Sequence, residues 1–169
     1  ADDASASAVL QAAEIGHLVI AAMSTVTAID SIDRFVELFE PHRQRQARTT
    51  LAATLRGVVS QRLLPRAGGR GRVPAVEIMR TTHAIQDCIK NPEKTHEIIA
   101  HMERGRDHYG MQTFDQHLFD LYEAGLISYE DALRNADSVN DLRLKIKLES
   151  KQSKDRDLTS GLDHLEIMQ

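Results

Sequence analysis

Residues 18–23, Leu-Val-Ile-Ala-Ala-Met, run apolar without alternating. A strand with no polar face is buried on both sides, which is the habit of parallel sheets covered by helices. Such a strand needs partners along its edges. The rest of the chain offers little to pair with it. Val58 to Leu64 and Val73 to Met79 read as two strands joined by "PRAGGRGR", a stretch with the glycine content of a hairpin turn. One doubly buried strand and one hairpin do not complete a doubly wound sheet. The sequence therefore reads as the second half of an α/β domain followed by an all-helical region. Its opening, "ADDAS", has no initiator methionine and runs straight into a helix, as a fragment or trimmed chain would begin; methionine removal before a small residue is the alternative.

The other segments are punctuated as helices. Asp3 is placed to cap a helix over 4–14, with Gly16 as its terminator. Thr27-Ala-Ile-Asp30 is a variant capping box opening a helix with Ile29, Ile32, Val36 and Phe39 on one side. A further helix spans 42–56, with Ala47, Leu51 and Leu55 on its apolar stripe. Thr82 precedes a short helix to Lys90, and Asn91-Pro92 opens one running to about Arg104. Thr113, Ser128 and Ser138 each stand three residues before a glutamine or aspartate, so each caps another helix. From Glu149 the chain turns polar and non-periodic, which predicts a disordered tail over 149–169.

Composition excludes several function classes. The longest apolar run is far shorter than a bilayer span, and no basic, apolar leader opens the chain. A single cysteine leaves no disulfide framework and suits a reducing compartment. A formal net charge of -4 disfavours a dedicated polyanion binder.

Three local clusters carry possible chemistry. "HEIIAH" at 96–101 resembles the zinc motif His-Glu-x-x-His, but its histidines are five apart and diverge by roughly 140° around a helix. They cannot hold one ion together, and no metal site is assigned. Between Glu40 and Glu77 lie eight arginines, at 43, 45, 48, 56, 62, 66, 70 and 72, and no acid. Phosphate or subunit contact, nucleic acid, and plain pairing with acidic neighbours all remain open for them; the lack of interleaved aromatics speaks against base stacking. "AGGRGR" lacks the Gly-Lys-Ser/Thr ending of a P-loop and is a turn. No Walker A motif and no Gly-x-Ser-x-Gly elbow occurs, and Cys88 within "AIQDCI" reads as core packing. Ligands of open α/β sheets bind beyond the carboxyl ends of the strands, which favours Ser24 and Thr25. His17 stands at the opposite end, where a packing or capping role competes with a functional one.

In order, "AAEIGHLVIAAMST", "AIDSIDRFVELFEP", "VVSQRLLPR", "VEIMRTTHAIQDCI" and "GMQTFDQHLFDLYEAGLISYEDALRNA" resemble the C-terminal half of type IV pilus retraction ATPases, the PilT/PilU type of secretion ATPase. The resemblance covers Asp2 to about Leu148, and the ending "ALRNADSVNDLRLKIKL" looks closer to the PilU-like branch. It implies the second half of a RecA-like P-loop ATPase core over 1–80, a helical C-terminal region over 81–148, and a tail beyond. It further implies a cytoplasmic hexameric ring at the inner-membrane face, ATP and Mg2+ as cofactors of the full-length protein, and pilus retraction as the work done. The implied partners are the inner-membrane platform of the pilus machinery and a paralogous retraction ATPase, with no nucleic acid.

Residue by residue, Asp2 matches the aspartate after the Walker B glutamate, and His17 the first histidine of the histidine box, which couples nucleotide state to the next subunit. Ser24 and Thr25 stand where the nucleotide would be met. Ala84, Ile85, Gln86, Asp87, Cys88 and Ile89 match the "AIRNLI" motif, linked in relatives to retraction rather than hydrolysis, and so imply a partner surface. Ile15 replaces a usual threonine, Ser24 a usual second histidine, and Gln86-Asp87 an Arg-Asn pair. Serine cannot become cationic as imidazole does. With neither P-loop nor Walker B glutamate in these 169 residues, the chain alone is expected not to hydrolyse or stably bind ATP. A non-catalytic coupling module of the pilus machinery is the alternative.

Overall fold

Thr27, Thr82 and Ser128 each accept a hydrogen bond from the backbone amide three residues on, as their capping signals predict, whereas Asn91 and Ser138 make no side-chain cap bond, the Ser138 hydroxyl donating instead to the Asp141 carboxylate at 2.6 Å. A computed structural model describes residues 2–152. Helix α1 is Asp3–Glu14, capped by Asp2 rather than Asp3: its Oδ1 takes the Ser5 amide at 2.9 Å. The helix ends in two bonds, His17 N–H to the Ala12 carbonyl and Gly16 N–H to that of Ala13. Gly16 has φ +93°, the left-handed conformation this motif requires.

Helices α2 (Ala28–Glu37) and α3 (Pro41–Thr54) follow, α3 with proline in its first turn. Strands β1 (Gly57–Pro65) and β2 (Arg72–Arg80) form the hairpin. Its register is fixed at both ends, where the Thr81 amide bonds the Arg56 carbonyl and the Arg66 amide that of Gly71. Gly57 is required here: a Cβ would lie 2.7 Å from the Met79 carbonyl oxygen. Burial alternates along both strands, with Ser60 and Leu64, then Ala75, Glu77 and Met79, facing inward.

Helix α4 is His83–Lys90. The helix expected from Asn91 to Arg104 is divided into a 3-10 segment, Pro92–Glu97, and α5, Ile98–Arg104. A one-turn α6, Arg106–Tyr109, closes on Gly110 at φ +66°. Helices α7 (Phe114–Glu123), α8 (Tyr129–Arg134) and α9 (Val139–Glu149) complete the described chain.

Two compact units result, each with its own core. The first comprises, among the described residues, 2–62 and 76–113; Ala6, Ile32, Ala52, Ile85, Ile89, Ile98 and Met102 are buried in it. The second comprises, among the described residues, 63–75 and 114–152, with Leu64, Ala75, Phe114, Leu118, Leu142 and Ile146 buried together. At the start of the expected tail, Ser150 is buried, its hydroxyl donating to the Glu123 carboxylate, and the Gln152 amide donates to the Glu123 carbonyl at 3.1 Å. The remainder of that expectation lies outside the described residues.

The strand expected at 18–23 is not formed. Residues 17–25 have no regular structure, and Leu18 and Ile20 are 86% and 90% exposed. The only strands among the described residues pair with each other. Extended backbone without a neighbouring strand has no ladder to stabilise it. No helix of the described residues is long and apolar enough to cross a membrane.

Candidate functional site

The loop leaving residues 18–23 meets α2 at a recess of about 650 Å³, lined by Ala22, Met23, Ser24, Thr25, Asp30, Asp33, Arg34, Glu37 and Leu38. Its floor is held by a short chain of side-chain bonds. The Thr25 and Ser31 hydroxyls lie 2.6 Å apart, and Ser31 Oγ donates to the Thr27 carbonyl at 2.8 Å. The start of α2 is fixed from below: the Ala28 amide donates to Glu77 Oε1 at 2.6 Å, placing a fully buried carboxylate against the positive end of the helix. Ser24 and Thr25 are thus brought to one recess. His17 does not line it: it is exposed and held through its own backbone at the end of α1.

Asp30, Asp33 and Glu37 were not expected here. Their spacing, three and then four apart on one helix face, was the available signal. Arg34 donates to Glu37 at 3.2 Å. Arg48 donates to Asp33 at 2.7 Å and to the Ile89 carbonyl at 3.2 Å, joining α3 to α2 and to the carbonyl end of α4. Arg43 binds both oxygens of Asp3, at 2.7 and 2.9 Å, and lies over the Phe39 ring. Two of the eight clustered arginines therefore act as internal ties between helices.

A triphosphate does not fit this recess as the chain presents it. Of its three carboxylates, Asp33 is paired with Arg48 and Glu37 with Arg34, which leaves the lining net acidic beside the two hydroxyls, and like charge repels a polyanion. Asp2, the other acidic candidate, is exposed at the head of α1; the Ser5 amide and hydroxyl hold its carboxyl below the ordinary 3.8.

Segment 84–89 is α4 itself, and the helical period divides it. Ile85, Cys88 and Ile89 are buried, so the face it offers is Ala84, Gln86 and Asp87. Asp87 pairs with Lys90 at 3.6 Å, and Gln86 with His83 at 3.2 Å. Burial, and then the Glu97 carboxylate, push the Cys88 thiol above its ordinary 9.0.

Residues 1–69 match the family model of type II/IV secretion system proteins. The type IV pilus ATPase PilU of Pseudomonas aeruginosa is 42% identical over 92% of this chain and 40% of its own length. The type IV pilus retraction ATPase PilT of the same organism is 40% identical over 75% of the chain and 36% of its own length. Among solved structures, the pilus retraction motor PilT with bound ADP superposes with TM-score 0.73 at 38% identity, over 85% of this chain and 39% of that one. The Legionella pneumophila ATPase DotB, at 22% identity and TM-score 0.63, shares the fold. The chain spans about two fifths of the length of the curated relatives it matches.

Proposed function

Because this chain is of the PilT/PilU pilus-ATPase type, matching the C-terminal portion of those proteins and closer to PilU, we propose that it is the coupling part of a hexameric motor subunit powering type IV pilus retraction. Its fold is a partial RecA-like core with a helical region. One observation carries the reading: the likeness to PilU runs over 92% of the chain, across both compact units, rather than through one motif.

In this reading the work divides along the chain. Residues 1–80 are the second half of the ATPase core and 81–148 the helical output. ATP hydrolysis in the whole protein is phosphoryl transfer by positioning and charge stabilisation. ATP, with Mg2+, supplies that chemistry when bound. The acidic recess supports a chain that does not hold the phosphates alone. What its own residues do is positional. Gly16 turns the chain so that His17 leads into 18–23, where in the assembled ring it would couple nucleotide state to the neighbouring subunit. Thr25 and Ser31 fix the exit of that segment onto α2, and Glu77 and Arg48 hold α2 against β2, α3 and α4. A change felt at 18–25 thus reaches the exposed face of α4, at Ala84, Gln86 and Asp87, which is the surface offered to pilus machinery or a partner ATPase. The protein is cytoplasmic and peripheral to the inner membrane.

A specific observation favours a second reading, a non-catalytic coupling module. Ser24, in place of the family's second histidine, is exposed beside three carboxylates and cannot relay a proton as imidazole does.

Two experiments test the assignment. Grafting residues 2–148 in place of the corresponding portion of Pseudomonas PilU should restore twitching in a strain lacking that protein. A stable, assembled graft that leaves twitching absent overturns the pilus assignment. Calorimetric titration of the chain with Mg-ATP should show no saturable binding. One equivalent bound would place phosphate-holding groups within these residues and rebuild the division of work.

A further inference from the structure

Three unlike donors converge where α4 packs against the 3-10 segment and α5. Cys88 Sγ, a Glu97 carboxylate oxygen and a His101 ring nitrogen all lie within 4.8 Å of one another. The convergence is built into the chain. Glu97 and His101 are one helical turn apart and share a face, and the Asn91-Pro92 break folds that face back onto the last turn of α4, where Cys88 is buried. His96, the other histidine of "HEIIAH", takes no part.

We propose that Cys88, Glu97 and His101 form a binding site for a divalent transition-metal ion of the zinc class, joining α4 to α5. Donor chemistry selects the ion. Thiolate and imidazole suit zinc and its neighbours, whereas calcium and magnesium take oxygen donors. Metal–donor bonds of about 2.0–2.3 Å bring tetrahedral donors to roughly 3.3–3.8 Å apart. The three donors lie no more than 4.8 Å apart, so closing to the tetrahedral spacing needs side-chain movement of about 1 Å or less, which Glu97 and His101, neither of them buried, can make. Three protein donors leave one position for water.

Binding requires the thiol proton to leave. Without an ion, a buried thiol beside a carboxylate stays protonated, with Glu97 and Asp87 opposing its ionisation and Lys94 favouring it. A cation between thiol and carboxylate removes that opposition and displaces the thiol proton to solvent. Arg104 sets the competing state, its guanidinium lying 3.3 Å from His101 Nδ1. Binding at Nδ1 displaces that contact directly; binding at Nε2 moves the ring proton to Nδ1 and breaks it. The site stands apart from the motor reading, although an ion there would stiffen the helix whose outer face that reading uses.

Cobalt(II) is the probe, because thiolate ligation gives a ligand-to-metal charge-transfer band in the near ultraviolet. The full chain is titrated with Co2+, then with Zn2+ to displace it, and bound metal is counted after gel filtration. One equivalent with a charge-transfer band is expected, with affinity at least about tenfold weaker in Cys88→Ser and in His101→Gln. His96→Gln should bind as wild type, and Arg104→Gln at least as tightly. His101→Gln changes a residue outside the core, so it reports on the site even if Cys88→Ser fails to fold. No band at saturating Co2+ overturns the site, and so does undiminished binding by His101→Gln. Twitching by the PilU graft has no bearing on either outcome.

Discussion

Two stretches of this chain carry β-type sequence and meet opposite fates. Val58 to Leu64 and Val73 to Met79 lie within a paired hairpin. Leu18 to Met23 is more uniformly apolar, yet it is unpaired and largely exposed. The difference is not propensity, which favours the second at least as much. The hairpin carries its own partner within a few residues, and its register is closed by bonds at the turn and the base. A continuous apolar strand carries none. Its burial must come from other strands, so its pattern describes an environment and not a local preference.

If pairing and burial make the hairpin, removing buried volume there should cost most. Met79 is 1% exposed in the first core. Met79→Ala is expected to lower unfolding free energy by about 2–5 kcal/mol, read by urea denaturation. Leu18→Ala, at an apolar side chain that solvent already surrounds, should stay within about 0.5 kcal/mol. Equal losses would break the comparison outright.

Glu77 tests what the hairpin does beyond its own pairing. Its carboxylate holds the first amide of α2, so β2 fixes the helix that bears the recess. Glu77→Gln keeps the shape and weakens a charge-assisted bond at a helix N-terminus. A loss of about 1–3 kcal/mol is expected, with earlier hydrogen exchange at the start of α2. A variant as stable as wild type would separate α2 from the hairpin.

Much of this was legible in the sequence, because caps and hairpins are local. Thr27, Thr82 and Ser128 cap as read, and both strands extend only a residue or so beyond the range their pattern gave. Asp2 replaces Asp3 as a cap because Asp3 is drawn to Arg43, forty positions away in the sequence, whose Nη1 donates to both of its carboxylate oxygens. The acidic lining of the recess was hidden for a related reason. Asp30, Asp33 and Glu37 read as a solvated helix face until the loop at 22–25 folds over one side of them. Nor could spacing within "HEIIAH" reveal a donor set whose sulfur comes from the preceding helix. Long-range juxtaposition is what one sequence conceals.

The turn between α1 and the unpaired segment offers a smaller effect. Gly16 has φ +93°, and a Cβ there would have nothing within 4 Å, so backbone strain alone opposes a side chain. Gly16→Ala is expected to cost roughly 1 kcal/mol and to fray the last turn of α1. The other end of that helix gives a pH signature. Folding lowers the Asp2 pKa below 3.8, so the stability its carboxylate contributes is present above about pH 3.8 and is lost as pH falls through the folded value. Asp2→Ala should therefore differ from wild type at neutral pH, and the gap should narrow only below pH 3.8. A constant gap down to pH 2 would mean the cap does not act through its charge.

The smallest expected change in stability carries the sharpest test of why 18–23 is apolar. Leu18 and Ile20 are exposed in this chain, so the double change Leu18→Ser with Ile20→Ser removes little buried surface and should leave the melting temperature within a degree or two. An unpaired apolar edge invites association, however, and serine removes its driving force. The double variant should stay monodisperse at concentrations where wild type associates, as read by light scattering. A large fall in melting temperature would show that the segment is already packed in solution, against this chain or a second copy. Unchanged melting with suppressed association would show the reverse: its hydrophobicity answers to a sheet the segment has yet to join. Only in that case does the contrast with the hairpin rest on the supply of partners rather than on the sequence of the strand.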